Sequence, residues 1–289
     1  MLLTLPRTHL RRWVESRGTT FRGRDLSTER EGADRMQTAI RRRLNELGLR
    51  SRLRARPRLQ GRILAPAGLR RRLPSTPGLY FPFYHDVPAE YAKDLRHHLR
   101  ALQRIGPMVA WDEAMRILTG TQPLTGPVFC LSFDDAHLTW RDVAAPVLLE
   151  MRVPAMFFLT SGMVGRPGNL TWDDCRALAA SGFDFGSHTV THHRLADQDD
   201  ETAAREIVDS KREIEDELGV AVRDFAAPYG HPAVDYRERD VAVAREAGYR
   251  SFASTLRPAM RPGDSPMCIR RQGLHPAWPI LAVRTRVHD

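Results

Sequence analysis

At 289 residues the chain is long enough to bury a full hydrophobic core. It holds no run near the roughly 18 uninterrupted apolar residues of a membrane helix, and the opening MLLTLPRTHLRRW is a poor secretion signal, having neither an apolar segment nor a small-residue cleavage site. The net charge is +9, but residues 1–75 carry 20 arginines, no lysine and 6 acids, or +14, whereas the rest carries 24 basic and 29 acidic residues, or −5.

The chain therefore divides into a basic arm (1–75), partly helical or disordered, and a mildly acidic domain (76–289). The arm's one convincing helix, MQTAIRRRLNELGL, places Ile40, Leu44 and Leu47 on a common face and Arg41 to Arg43 largely off it. Such a face either touches an anionic membrane or packs on the main domain. Nucleic acid is a poor fit as a partner, because Trp13 and Phe21 are the arm's only stacking aromatics. Met36 is an alternative start, with residues 1–35 as a polar leader lacking apolar periodicity. Cys130, Cys175 and Cys268 are widely spaced and odd in number, so neither a disulfide framework nor a cysteine zinc site is expected. A reducing cytoplasm, with the arm peripheral to the inner membrane, is the expected location.

LPSTPG (73–78) breaks any helix between arm and domain. Strands and helices then alternate: strand LYFPFYH, helix AEYAKDLRHHLRALQRIG, strand PVFCLSF, helix LTWRDVAAPVLLEMR and strand PAMFFLT. Next come a helix TWDDCRALAASG, capped by Thr171 and closed at Gly182, and the short strand FDFGSHT. A long helix ending at Gly219, strand RDFAAPYG, helix DYRERDVAVAREAGY, strands RSFAST and MCIRRQG, and a closing helix near 279–286 complete the chain. This alternation implies parallel strands covered by helices. About seven units fit an α/β fold of the (β/α) barrel kind better than an open sheet, which periodicity alone does not exclude.

VFCLSFDDAHLTW raises a chemical question, because a buried strand stops on two adjacent aspartates, Asp134 and Asp135. Strand neighbours point to opposite faces, yet at a strand end a turn can bring both to one site. Like charges so close persist when solvated, when capping a helix, or when bound to a cation. A second strand end, SHTVTHH, carries His188, His192 and His193; the four-residue spacing predicts a helical turn with His188 and His192 on one face and His193 pointing elsewhere. Two histidines and one carboxylate with open positions suit zinc hydrolysis, with non-haem iron chemistry as the competitor.

LSFDDAH, SHTVTH and FAAPYG, in that order and at those intervals, resemble the polysaccharide deacetylase family, carbohydrate esterase family four, from about FPFYHDV to near the C-terminus. VPAMFFLTSGMV, LTWDD, the Ser-Lys of VDSKREIEDELG and AGYRSFAST match as well. The resemblance implies a distorted (β/α) barrel of about seven strands, and a metal-dependent hydrolase removing N-acetyl groups from an amino-sugar polysaccharide, oligosaccharide or lipid-linked sugar. It further implies one divalent ion, most naturally Zn2+, held by Asp135, His188 and His192. Asp134 would be the general base, the backbone N–H of Tyr229 an oxyanion donor, and His275, in RRQGLHP, the acid that protonates the departing amine. His288, the penultimate residue, is a weaker match for the acid.

Two departures stand out. Ala136 replaces the usual glycine after the aspartate pair, and Ala226 stands where the third motif often carries an arginine that orients the base. MCIRRQGLH offers Arg270 and Arg271 on one strand, of which only one can face the barrel mouth. The resemblance favours Arg271, which is expected in contact with Asp134. Were nothing to replace the arginine, a degenerate carbohydrate- or nucleic-acid-binding protein would be the alternative. Tyr84, His85 and Asp86 also end a strand, either lining the cleft or serving structure.

Overall fold

A computed structural model describes residues 77–288. The basic arm and its Ile40, Leu44 and Leu47 stripe lie outside the described residues, as does the His288 side chain. Eight parallel strand segments form one sheet: β1 (Gly78–Tyr84), β2 (Pro127–Phe129), β3 (Leu131–Asp135), β4 (Ala155–Leu159), β5 (Asp184–Ser187), β6 (Asp224–Ala226), β7 (Ser251–Ser254) and β8 (Ile269–Gly273). β2 and β3 are one path interrupted at Cys130, for both pair with β1 in a single register, Gly78 opposite Pro127 and Phe83 opposite Ser132. β1 pairs with β3 on one side and β8 on the other, so the sheet closes into a seven-strand barrel.

Side-chain alternation along the strands separates two apolar clusters. Tyr80, Leu131, Phe133, Phe157, Phe225 and Phe252 point outward beneath the helices. Leu79, Phe81, Met156, Phe158, Ala226 and Ile269 fill the barrel interior. Gly186 makes room for this filling: a Cβ there would lie 2.5 Å from the Phe158 ring. Among the described residues seven α-helices surround the sheet: α1 (Ala92–Gln103), α2 (Trp111–Leu118), α3 (Ala145–Met151), α4 (Trp172–Ala180), α5 (Asp200–Leu218), α6 (Glu238–Glu246) and α7 (Ile280–His288). Among the described residues no helix is long and apolar enough to cross a membrane.

Helix boundaries follow local chemistry. Thr171 caps α4 in a reciprocal box, its Oγ1 accepting from the Asp174 N–H while the Asp174 carboxylate accepts from the Thr171 N–H. Gly219 ends α5 with φ 66°, a left-handed turn that glycine adopts without steric cost. Two elements differ from expectation. LTWRDVAAPVLLEMR opens with a π turn (Trp140–Ala144) before α3, with Pro146 in the first α turn, where a missing N–H costs least. α2 was not expected, since eight residues make a marginal helix in isolation. Packing supplies its stability: Trp111 lies 5.2 Å from Phe81 and 5.1 Å from Phe158, and its Nε1 donates to Ser251 Oγ at the start of β7. α2 thus plugs the end of the barrel where strands begin, leaving the opposite end for polar residues.

Candidate metal centre

The aspartate pair separates by strand geometry. Asp134, still in the β3 alternation, follows Ser132 into the barrel and is 2% exposed. Asp135 ends the strand with φ 97°, a backbone conformation costly for a non-glycine residue. That turn aims its carboxylate sideways toward the loop after β5. Its Oδ1 lies 3.3 Å from His192 Nε2 and 3.7 Å from His188 Nε2. The ligand atoms of Asp135, His188 and His192 all fall within 4.8 Å of one another, the one such group among the described residues.

The two histidines meet by a route other than the expected helical turn. Residues 188–192 form a loop in which Thr189 (φ 68°) and His192 (φ 64°) are both left-handed. The loop is held internally by the His192 N–H donating to Thr189 Oγ1 at 3.1 Å. It is held externally by Glu206 of α5, a buried carboxylate that accepts from the N–H groups of Val190 and Thr191 and from Thr191 Oγ1. His193 turns away and pairs its Nδ1 with Thr191 Oγ1 at 2.7 Å.

The donor chemistry fits a divalent cation. His188 Nδ1 lies 2.7 Å from the Ala226 carbonyl, which can only accept, so the ring proton sits on Nδ1 and Nε2 keeps its lone pair toward Asp135. Burial pushes the His188 pKa down to about 4 and lowers that of His192, so both rings are neutral near pH 7, as metal ligands must be. Burial works to raise the Asp135 pKa, but the hydrogen bond from His137 and the fields of His188, His85 and His192 prevail and hold it well below the usual carboxylate range. Asp135 Oδ1 is buried with no hydrogen-bond partner among the described residues. An orphaned oxygen of that kind costs about 1–3 kcal/mol, and a cation between it and the two Nε2 atoms would satisfy it.

Beside this group, Arg271 forks Asp134. Its Nη1 donates to Oδ1 at 2.6 Å and its Nη2 to Oδ2 at 2.8 Å, with the guanidinium fully buried over the Phe83 ring at 4.4 Å. Arg270 points outward to the Pro258 and Ala259 carbonyls and to Asp264, as strand alternation requires.

A family model described as polysaccharide deacetylase matches residues 121–252, a span that contains Asp134, Asp135, His188 and His192. Over that span the chain is similar to the polysaccharide deacetylase family. The Bacillus subtilis (strain 168) protein YxkH, named as a polysaccharide deacetylase, is 24% identical over 164 residues, 56% of this chain and 57% of that protein. The match thus spans little more than half of this curated relative's length. Among solved structures, IcaB from Ammonifex degensii superposes with a TM-score of 0.65 at 26% identity, covering 73% of this chain and 98% of that one. The Streptococcus pyogenes deacetylase PplD, solved with acetate, gives a TM-score of 0.63 at 20% identity over 75% and 100% of the two chains, and shows the shared fold.

The remaining motif positions lie around the same strand ends. Ala226 is buried in β6, and its carbonyl orients His188. Ala136 is buried and needs no left-handed backbone, so the absence of glycine there is without strain. Tyr229 follows β6 with φ 61°, and its N–H has no acceptor among the described residues. Its ring is half exposed, 5.1 Å from His192 and 4.6 Å from the Arg194 guanidinium, which Asp235 holds. His275 lies just beyond β8, half-buried, with Nδ1 accepting the Ala277 N–H; its neutral form therefore carries the proton on Nε2. Burial, together with the field of His85, lowers its pKa.

Of the three residues after β1, Tyr84 is structural, its buried hydroxyl pairing with His98 Nδ1 at 2.9 Å. Asp86 accepts from Thr139 Oγ1, whereas His85 is exposed at the mouth, its field reaching both Asp135 and His275. Sequence reasoning passed over two residues of this region, His137 and Glu206. His137 stands in the quoted LSFDDAH, but nothing in the pattern marks it as a partner of Asp135. Glu206 lies on a helix 16 residues beyond Val190.

Proposed function

We propose that the protein is a metal-dependent hydrolase that removes N-acetyl groups from an amino-sugar polysaccharide, oligosaccharide or lipid-linked sugar. The observation that carries this reading is the buried Arg271–Asp134 fork directly beside the Asp135, His188 and His192 donor set. Two imidazoles and one carboxylate suit zinc and leave coordination positions open. When bound there, the ion would supply Lewis acidity toward a water and the amide oxygen.

The chain's own residues would do the rest. Asp134, held by both guanidinium arms, presents a carboxylate of fixed direction to take a proton from the attacking water. The water oxygen bonds to the acetyl carbon, and the Tyr229 N–H would donate to the carbonyl oxygen as it gains negative charge. The C–N bond then breaks. An amide anion is too poor a leaving group, so the nitrogen must take up a proton, which His275 would give from Nε2 as the imidazolium, returning to the neutral ring whose Nδ1 accepts the Ala277 N–H. Acetate and the free amine are the products. The rival reading as a degenerate binding protein leaned on the missing arginine at Ala226, and Arg271 supplies that guanidinium from β8 instead.

The test is acetate release from a panel of N-acetylated glycans and glycolipids, by protein stripped with a chelator and then reloaded with zinc or with iron. Release that depends on the metal is the expected result. No acetate from any member, or a rate indifferent to chelation, would overturn the proposal.

A further inference from the structure

His137 pairs with the same carboxylate as the two proposed ligands, but with its other oxygen. Its Nε2 lies 3.1 Å from Asp135 Oδ2. A carboxylate oxygen can only accept, so this nitrogen carries the proton and donates. The opposite oxygen, Oδ1, is the one that faces His188 and His192 and is buried without a hydrogen-bond partner among the described residues. The two oxygens of one side chain therefore have different environments, one committed to a protein donor and one open toward the donor set.

His137 is itself held on a braced backbone. It forms an antiparallel bridge with Asn169, flanked by the Leu138 N–H donating to the Gly168 carbonyl at 3.0 Å and the Leu170 N–H to the Ala136 carbonyl at 2.8 Å. Its own carbonyl accepts the Trp140 N–H at the start of the π turn. The turn at Asp135, with φ 97°, brings residues two apart in sequence to face one another. Together the bridge and the left-handed turn deliver one imidazole N–H to one oxygen.

We propose that His137 is a positioning residue that restricts Asp135 to a single ligating oxygen, Oδ1, and so preserves an open coordination position for water and substrate. This rests on the metal reading above. Without the His137 donor, Oδ2 would be free to swing toward the ion, and a carboxylate using both oxygens would occupy the position that hydrolysis needs. A hydrogen bond to the idle oxygen also fixes the carboxylate plane, the service that outer partners give to metal ligands generally.

The test uses Co2+ as a spectroscopic probe in the full chain. Wild type, His137→Ala and His137→Gln are stripped of metal, checked for equal thermal melting, and titrated with Co2+. In His137→Ala the affinity should fall about 10–100-fold, and the visible absorption bands should change in intensity as the ligand number changes. His137→Gln, whose side-chain amide can donate to Oδ2, should restore much of both. If the alanine variant does not fold, His137→Phe keeps the ring volume without the donor and should behave as predicted for alanine. Unaltered affinity and an unaltered spectrum in the donor-less variant would overturn the inference. Acetate release is read separately, so the deacetylase reading can fail while the Co2+ spectrum still decides the role of His137.

Discussion

Each end of the barrel carries an arginine forked onto a buried aspartate beside a serine, and the two constellations serve different ends. Where the strands begin, Arg250 Nε and Nη2 bond both oxygens of Asp224, Ser251 Oγ donates to the same carboxylate at 2.6 Å, and Trp111 Nε1 donates to that serine. Arg250 also reaches Asp112. Every polar group in this network has its partner, and none of its residues has a positive φ. Where the strands end, Arg271 forks Asp134 with Ser132 alongside, but the surroundings are unfinished. Asp135 Oδ1 is buried and unpaired, the Tyr229 N–H has no acceptor among the described residues, and Asp135, Thr189, His192 and Tyr229 are all left-handed. Of these two constellations only the one where the strands end carries strain and unspent polar capacity, and the other shows that the same side chains can be fully satisfied. Such one-sided frustration is what a binding site requires and a structural plug does not.

Isosteric substitution of the two aspartates should separate them most sharply. Asp134→Asn removes the proposed proton acceptor while leaving Asp135, His188 and His192 intact. Turnover per metal-loaded, folded molecule should fall about 10²–10⁴-fold, with metal content retained. Asp224→Asn should instead cost stability, about 1–3 kcal/mol for a charge-assisted network with one partly exposed partner, and leave turnover of the folded fraction unchanged. Denaturant melts and kinetics on both variants check this. A turnover loss in Asp224→Asn as large as in Asp134→Asn, at equal folded fraction, would dissolve the distinction between the two ends.

The difference between the ends was partly legible in the sequence. Period-two alternation showed that only one of Arg270 and Arg271 could face the barrel mouth, because strand geometry transmits direction over several residues, and the family resemblance favoured Arg271. Strand–helix alternation favoured a barrel without excluding an open sheet, and the resemblance implied the barrel. Left unread were features that depend on the chain meeting itself at a distance or on a single unusual dihedral. The four-residue spacing of His188 and His192 fits a helical turn equally well; two left-handed residues and the remote Glu206 carboxylate make it a loop instead. α2 was missed because eight residues carry little periodic signal, and its stability comes from Trp111 packing inside the barrel. His137 was in view, but its hydrogen bond to Asp135 depends on a φ of 97° that no residue pattern announces.

The smallest effect is expected within the histidine loop itself, where three imidazoles lie on six consecutive residues and differ only in direction. His188 and His192 turn their Nε2 atoms toward Asp135 Oδ1, and replacing either by alanine should abolish tight metal binding. His193, one residue further, points out of the group and spends its Nδ1 on Thr191 Oγ1, a hydroxyl already anchored by donation to Glu206 Oε1. That exposed bond contributes at most about 0.5–1.5 kcal/mol, and the Glu206 contacts to the Val190 and Thr191 N–H groups keep the loop in shape without it. His193→Ala should therefore leave metal affinity within about twofold of wild type, a shift below about 0.4 kcal/mol at 1.4 kcal/mol per tenfold. Metal titration of the three alanine variants side by side is the measurement. Equal loss in all three would mean that the loop binds by its aggregate imidazole content, and the assignment of Asp135, His188 and His192 as a directed donor set would fall with it.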